Sequence, residues 1–313
     1  MLGKTAGGLF WMFRYLERSE NTVRLLDAGF RIALTRSSAS RNEWESIVTT
    51  AGVQAAFAER HDEYNSENVI DFLLRDKSNA SSVVSVINTA RNNARLVRTA
   101  LTREVWEATN DCWLTLQKTL ARPVREKGLP DVLASIRQHS ALVRGALHGT
   151  MLRNEIYDFA RLGTFIERAD NTARILDVKY YLLLPSVSLV GSRMDNAQWE
   201  TILRSVSANH AYRWLNGGDI NPTGITEFLI LDRRMPRSLA FCYAKIMDNL
   251  GYLATDYGEE HECHQQAAAV QSKLDGSTVA SILEEGLHEF LGDFIRYNNR
   301  LGALIEQDYR FCD

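Results

Sequence analysis

The chain is 313 residues long, 45% hydrophobic and 24% charged, which is enough apolar material for a large core and too little net charge for disorder. With 19 glycines and 5 prolines, collagen-like repeats, linker arrays and turn-rich all-β folds are disfavoured. A formal net charge of -3 provides no basic field for holding nucleic acid without sequence preference.

At the N-terminus, Gly3-Lys4-Thr5-Ala6-Gly7-Gly8 lacks both the Walker spacing and a preceding strand, and reads as a flexible lead-in. Arg14, Glu17, Arg18 and Glu20 stand where a signal peptide would need its apolar core. Apolar positions then recur at steps of three, four or seven from Leu9 through Met12, Phe13, Leu16, Val23, Leu26 and Phe30, which predicts a helix over 9–34. The same periodicity predicts helices over 83–120, 132–151, 156–184, 199–215, 239–257 and 282–309. Ser40, Ser66, Ser78 and Asp195 are helix-start signals. Stops fall near Pro123, Gly128-Leu129-Pro130, Pro185, Gly217-Gly218 and Pro222. No alternating strand pattern stands out, so the fold class is all-α.

No uncharged run approaches the roughly 18 residues of a membrane span. The four cysteines are scattered without C-x-x-C spacing. A cytoplasmic protein with no membrane partner, no nucleic-acid partner and no cofactor is the expectation.

An internal repeat organises the sequence. Leu16-Glu17-Arg18-Ser19-Glu20-Asn21-Thr22-Val23-Arg24-Leu25-Leu26-Asp27 returns 150 residues later as Ile166-Glu167-Arg168-Ala169-Asp170-Asn171-Thr172-Ala173-Arg174-Ile175-Leu176-Asp177. Trp44-Glu45 is echoed by Trp199-Glu200. Asp71-Phe72-Leu73 is echoed by Glu227-Phe228-Leu229, and Asp76 by Asp232, at an offset of 156. Two tandem helical bundles follow, 1–150 and 151–313, packed as one body about a pseudo-two-fold, with 151–156 as a helix joint.

Glu17, Asn21 and Arg24 lie on one helical stripe, with Glu20 and Asp27 beside it. Arg18 is turned about 100° from Glu17 and has Trp11, Tyr15 and Leu25 as neighbours; Arg168 has Phe165 and Ile175. An Arg among apolar residues must meet an acid on another helix or a bound anion. Glu17, Arg18, Asn21, Arg24, Glu167, Arg168, Asn171 and Arg174 are therefore either a buried network that fixes helix register or the lining of a cleft for a polar ligand. In a ligand site, Arg would hold a carboxylate or phosphate and Glu an amine. If the protein is an enzyme, Glu17 or Glu167 would act as base, its pKa raised by burial.

Arg91, Arg95 and Arg98 form a second stripe, to be neutralised by acids opposite or by an anionic ligand. The 29 Arg against seven Lys fit either fixed pairing of this kind or plain compositional bias. His261-Glu262-Cys263-His264 and Glu285-Gly286-Leu287-His288 bear metal-ligand types, but neither completes a recognisable zinc or di-iron set, so no metal is expected.

The doubled Glu-Arg signature, in Tyr15-Leu16-Glu17-Arg18 and Phe165-Ile166-Glu167-Arg168, resembles the bacterial alpha-E family. So does Ala90-Arg91-Asn92-Asn93-Ala94-Arg95-Leu96-Val97-Arg98 followed by Leu101, Glu104, Trp106-Glu107 and Asn110, with Asn92 as a departure where an acid is expected. The resemblance spans nearly the whole chain. It implies a setting beside ATP-grasp ligases and transglutaminase-like proteins, and so a role in ATP-dependent amide or peptide bond formation or peptide modification. It supplies no catalytic residue set. An accessory protein that binds the ligase or its peptide or amino-acid substrate is the first expectation. An enzyme using the Glu-Arg stripes is the second, and a structural oligomer scaffold the third.

Overall fold

A computed structural model describes residues 1–35, 41–182 and 193–312 of the chain. Among these residues there are fifteen α-helices and no strand. In chain order they are α1 (Gly3–Thr35), α2 (Arg41–Thr50), α3 (Gln54–Ala58), α4 (Ser66–Leu74), α5 (Val83–Leu96), α6 (Arg103–Thr119), α7 (Leu129–Thr150) and α8 (Glu155–Leu182). Then come α9 (Arg193–Ser205), α10 (Asn209–Leu215), α11 (Pro222–Ile230), α12 (Leu239–Tyr257), α13 (Glu262–Gly276), α14 (Val279–Glu285) and α15 (Leu287–Asp308). None of them is long and apolar enough to cross a membrane.

Two long helices form the axis of the molecule. On α1, Leu9, Phe10, Met12, Phe13, Leu16, Val23 and Leu26 are buried; on α8, Phe159, Leu162, Phe165, Ile166, Ala169, Ala173 and Leu176 are. The two helices pack along each other, α1 also against α5 and α7, and α8 against α12 and α15. They run in the same direction. The Met1 ammonium reaches Glu155 at 3.2 Å, Phe10 lies against Gly163, and Glu17 faces Arg168. One continuous apolar core joins all the helices around this pair.

Local sequence explains several of the helix ends. Ser82 and Ser238 cap α5 and α12, their hydroxyls accepting from the Ser85 and Phe241 amides at 3.3 and 3.0 Å. Asn65, Asn221 and Thr102 do the same for α4, α11 and α6. Gly258, at φ 74°, ends α12 in the left-handed region that glycine adopts without strain.

Several expectations change. The helix over 83–120 is two helices, broken at 97–102 where Thr102 caps a new start. The one over 199–215 breaks at Ser207, φ 55°, and that over 282–309 at Gly286, φ 105°. Ser66 and Ser78 are not caps; Asn65 and Ser82 are, because their side chains reach the third amide onward. Asp195 falls inside α9. Gly3 to Gly8 is no flexible lead-in but the first turns of α1: Gly7 packs under the Phe311 ring and Gly8 under Val97. The start signal at Ser40 and the stop at Pro185 lie outside the described residues.

Candidate functional site

The Glu-Arg motifs meet where α1 crosses α8. Close approach is possible because Gly163 carries no side chain; a Cβ there would strike the Phe10 carbonyl oxygen. One turn further along, Arg168 Nε and Nη2 donate to Glu17 Oε1 and Oε2 at 2.9 and 3.0 Å. Arg18 Nε and Nη2 donate to Glu167 Oε1 and Oε2 at 2.6 and 2.9 Å. Each motif thus supplies the acid for the other's base, in two fork-to-fork pairs that are geometrically demanding and strong. The angular step between neighbouring helical residues lets Glu17 and Arg18 engage two adjacent residues of α8. Arg14 adds a third bond to Glu167 at 3.1 Å while its guanidinium lies over Trp11, 4.6 Å from the ring centre.

On one flank the charges are densely compensated. Glu20, 1% exposed, accepts from Arg24 at 2.6 Å, from Arg144 of α7, and from Arg237 at 3.0 Å. Arg237 enters from the turn before α12 and is itself 6% exposed. Its Nη1 lies 3.1 Å from Glu17 and donates to Asn21 Oδ1 at 3.2 Å. Asn21 Nδ2 in turn donates to the Glu167 carbonyl at 3.5 Å.

The opposite flank is open. Asp170 is paired only with Arg174 among the described residues, at 2.6 Å. Beside it lies a cleft of about 150 Å³ lined by Arg18, Ser81, Glu167, Asp170, Asn171 and Arg174, among others. Asn171 is 7% exposed, and its amide oxygen, buried in the cleft wall, accepts no hydrogen bond.

The electrostatics run against the general-base expectation, which needs a raised carboxyl. Burial alone would raise the Glu17 carboxyl, but Arg168 and Arg237 outweigh it and hold the group well below the usual range. Glu167 is lowered likewise, with Arg18 and Arg14 overcoming the cost of burial. Both are committed anions, poorly suited to taking a proton near pH 7. Burial pushes Arg237 down to about 10 against the pull of Glu17, so it stays charged at neutral pH.

The other candidates do not converge on this site. Arg91 is half-buried and donates to Asn110 Oδ1 at 2.9 Å; Arg95 is exposed. The helix ends at Leu96, so Arg98 leaves the stripe, its guanidinium 5.5 Å from the Trp106 ring centre. His261 and His264 form a capping box, the His261 amide donating to His264 Nδ1 at 3.0 Å. Gly286 separates Glu285 from His288, whose Nδ1 lies 2.5 Å from Asp177. No group of three or more metal-ligating side chains occurs among the described residues. Cys112 and Cys242 are buried thiols pushed up to about 12 by burial.

Arg14, Arg144 and Arg237 are site residues that sequence reading missed. For Arg237 a signal existed: it stands five residues after Asp232, in the turn that answers Asp76.

Comparison with known families gives a match over residues 1–309 to the model Alpha-E, described as a predicted alpha-helical domain with a conserved ER motif. No curated protein and no solved structure matched. Glu-Arg pairs of the kind that description names stand at Glu17-Arg18 and Glu167-Arg168, joined crosswise at the molecular axis, while a third, Glu59-Arg60, is exposed and apart from them. The chain belongs to the Alpha-E family.

Proposed function

We propose that the protein is a cytoplasmic helical accessory of an ATP-grasp-linked system that forms or modifies amide or peptide bonds, holding the ligase, its substrate or both. One observation carries this reading. The signature carboxylates and guanidiniums are consumed by one another in the interior, which makes the motif a clamp between α1 and α8 instead of an acid–base apparatus. A buried ion pair is weak evidence of stability, and specificity of packing is the role this reading gives the clamp. The setting beside ATP-grasp and transglutaminase-like proteins that the resemblance implies is what supports this choice of partners.

The same reading takes 1–150 and 151–313 as two copies of one helical unit. Its support lies in the spacing of elements: α11 begins and ends 156 residues after α4, and the capping serines Ser82 and Ser238 are 156 apart.

The test is sedimentation of the purified chain with an ATP-grasp ligase from the same genome, followed by ATP-dependent product formation with and without the chain. A stable complex and a dependence of product on the chain are expected. Turnover by the isolated chain without ATP would refute the accessory role.

A further inference from the structure

The two flanks of the Glu-Arg clamp are built from corresponding residues but finished differently. Glu17, Glu20, Asn21 and Arg24 answer Glu167, Asp170, Asn171 and Arg174 at an offset of 150. The turns that overhang them also correspond. Asp76 Oδ1 accepts from the Ser78 amide at 2.8 Å, and Asp232 Oδ1 from the Arg234 amide at 2.7 Å. The Ser82 amide donates to the Asn79 carbonyl at 3.0 Å, and the Ser238 amide to the Met235 carbonyl at 2.9 Å. Within these matched turns, the residue just before the capping serine is Ser81 in one and Arg237 in the other.

That difference bears on what occupies each flank, alongside Arg144, which reaches Glu20 from α7. Arg237 extends its guanidinium onto Glu17, Glu20 and the Asn21 amide oxygen. Ser81 is too short to reach Glu167, Asp170 and Asn171, and the cleft of about 150 Å³ lies where a longer side chain would go. The vacated contacts are visible in the partners. Asn171 Oδ1 is bonded to nothing where Asn21 Oδ1 takes Arg237. Among the described residues Asp170 has Arg174 alone, where Glu20 has Arg24, Arg144 and Arg237. A buried amide oxygen without a donor is costly, and a ligand that supplies one removes that cost.

We infer that the cleft at Ser81, Glu167, Asp170 and Asn171 is a binding site for a guanidinium group, for which Arg237 on the opposite flank is the built-in model. A guanidinium presents a planar fork of N–H donors that suits a carboxylate and an amide oxygen side by side. Arg18 and Arg174 at the margin each keep Nη1 outside their acid pairs, so a carboxylate on the same ligand would find donors there. This ligand class goes beyond the accessory role, and failure of ligase docking would leave it standing.

The test is calorimetric titration of the intact chain with agmatine, with its isostere N-carbamoylputrescine, which keeps the ammonium but has an uncharged urea in place of the guanidinium, and with a capped Gly-Arg-Gly peptide. One agmatine or one peptide is expected to bind per chain, with the isostere at least about tenfold weaker. Tighter binding of the peptide assigns the site to an arginine side chain of a partner, and tighter binding of agmatine to a free small molecule. Ser81→Arg supplies the missing guanidinium in cis and is expected to abolish binding while circular dichroism keeps its helical signature. Asn171→Leu, which removes only the free acceptor, is expected to weaken binding about tenfold and decides the matter should Ser81→Arg not fold. Absence of saturation by both guanidinium probes, equal affinity for the urea isostere, or binding unchanged in the folded variants would overturn the assignment. So would binding of inorganic phosphate in competition with agmatine.

Discussion

Arg168 and Glu17, 151 positions apart in the chain, close a bidentate pair in which both carboxylate oxygens are taken by one guanidinium. Arg237 lies against the same carboxylate at 3.1 Å, so the acid neutralises two buried cations. Removing it strands both. Glu17→Leu is expected to cost about 3–5 kcal/mol, the range for breaking one member of a buried pair. Replacing Arg168 as well, in Glu17→Leu/Arg168→Leu, should recover part of that loss, because one unpaired charge disappears with it. Urea unfolding of the two variants and the parent checks the order. A double variant less stable than the single one would show that the pair is not coupled as its geometry implies.

Acid should progressively remove the stability that the clamp contributes. Glu17, Glu20 and Glu167 all have carboxyls lowered from the ordinary 4.5, each against the opposing effect of burial. A lowered native value contributes stability that is complete above the unfolded value and fades as pH falls toward the native one. The urea midpoint is therefore expected to drop steeply below about pH 4.5. Glu17→Gln, with one such group gone, should show a shallower drop.

Asp158 has the opposite sign. Burial, helped by Asp256, raises its carboxyl from 3.8 to about 7. A raised acid favours folding when protonated, so its contribution is full below about pH 4 and is lost as pH climbs to about 7. Asp158→Asn keeps the shape without the charge. It is expected to melt higher than the parent at pH 8 and to differ least from it at pH 4.

Two glycine substitutions separate close packing from backbone freedom. Gly163→Ala places a methyl against the Phe10 carbonyl at the crossing of α1 and α8, and should destabilise by about 1–3 kcal/mol or more. Gly149→Ala meets open space near the end of α7, and should stabilise by up to about 1 kcal/mol. Thermal melts of the two proteins are expected to move in opposite directions.

What could be read from the residues alone follows from what is local. The apolar period on α1, α8 and α12 is set by each helix's own buried face, and those helices were legible almost to their ends. The breaks at 97–102, Ser207 and Gly286 were not, because apolar spacing carries on across them while a capping side chain or a positive φ starts a new axis. The repeated Glu-Arg motif pointed to the interior of the site. Which acid meets which base depends on α1 and α8 running side by side in the same sense, and helical period carries no information about that. Arg144 belongs to the site only through the packing of α7 on α1, and nothing in its neighbourhood of sequence marks it. Ser81 and Arg237 were open to view, but a serine opposite an arginine has meaning only once both turns are seen to overhang matching acids.

The reciprocity of the two forks also bears on how copies of the chain can associate. Neither α1 nor α8 satisfies its Glu-Arg motif from within; each needs the other's, and any second molecule carries identical ones. The short joint between Thr150 and Glu155 is then the natural place for segment exchange. Opened there, two molecules can trade partners and form every fork intact, so an intertwined dimer would sacrifice none of these bonds and would become more populated as concentration rises.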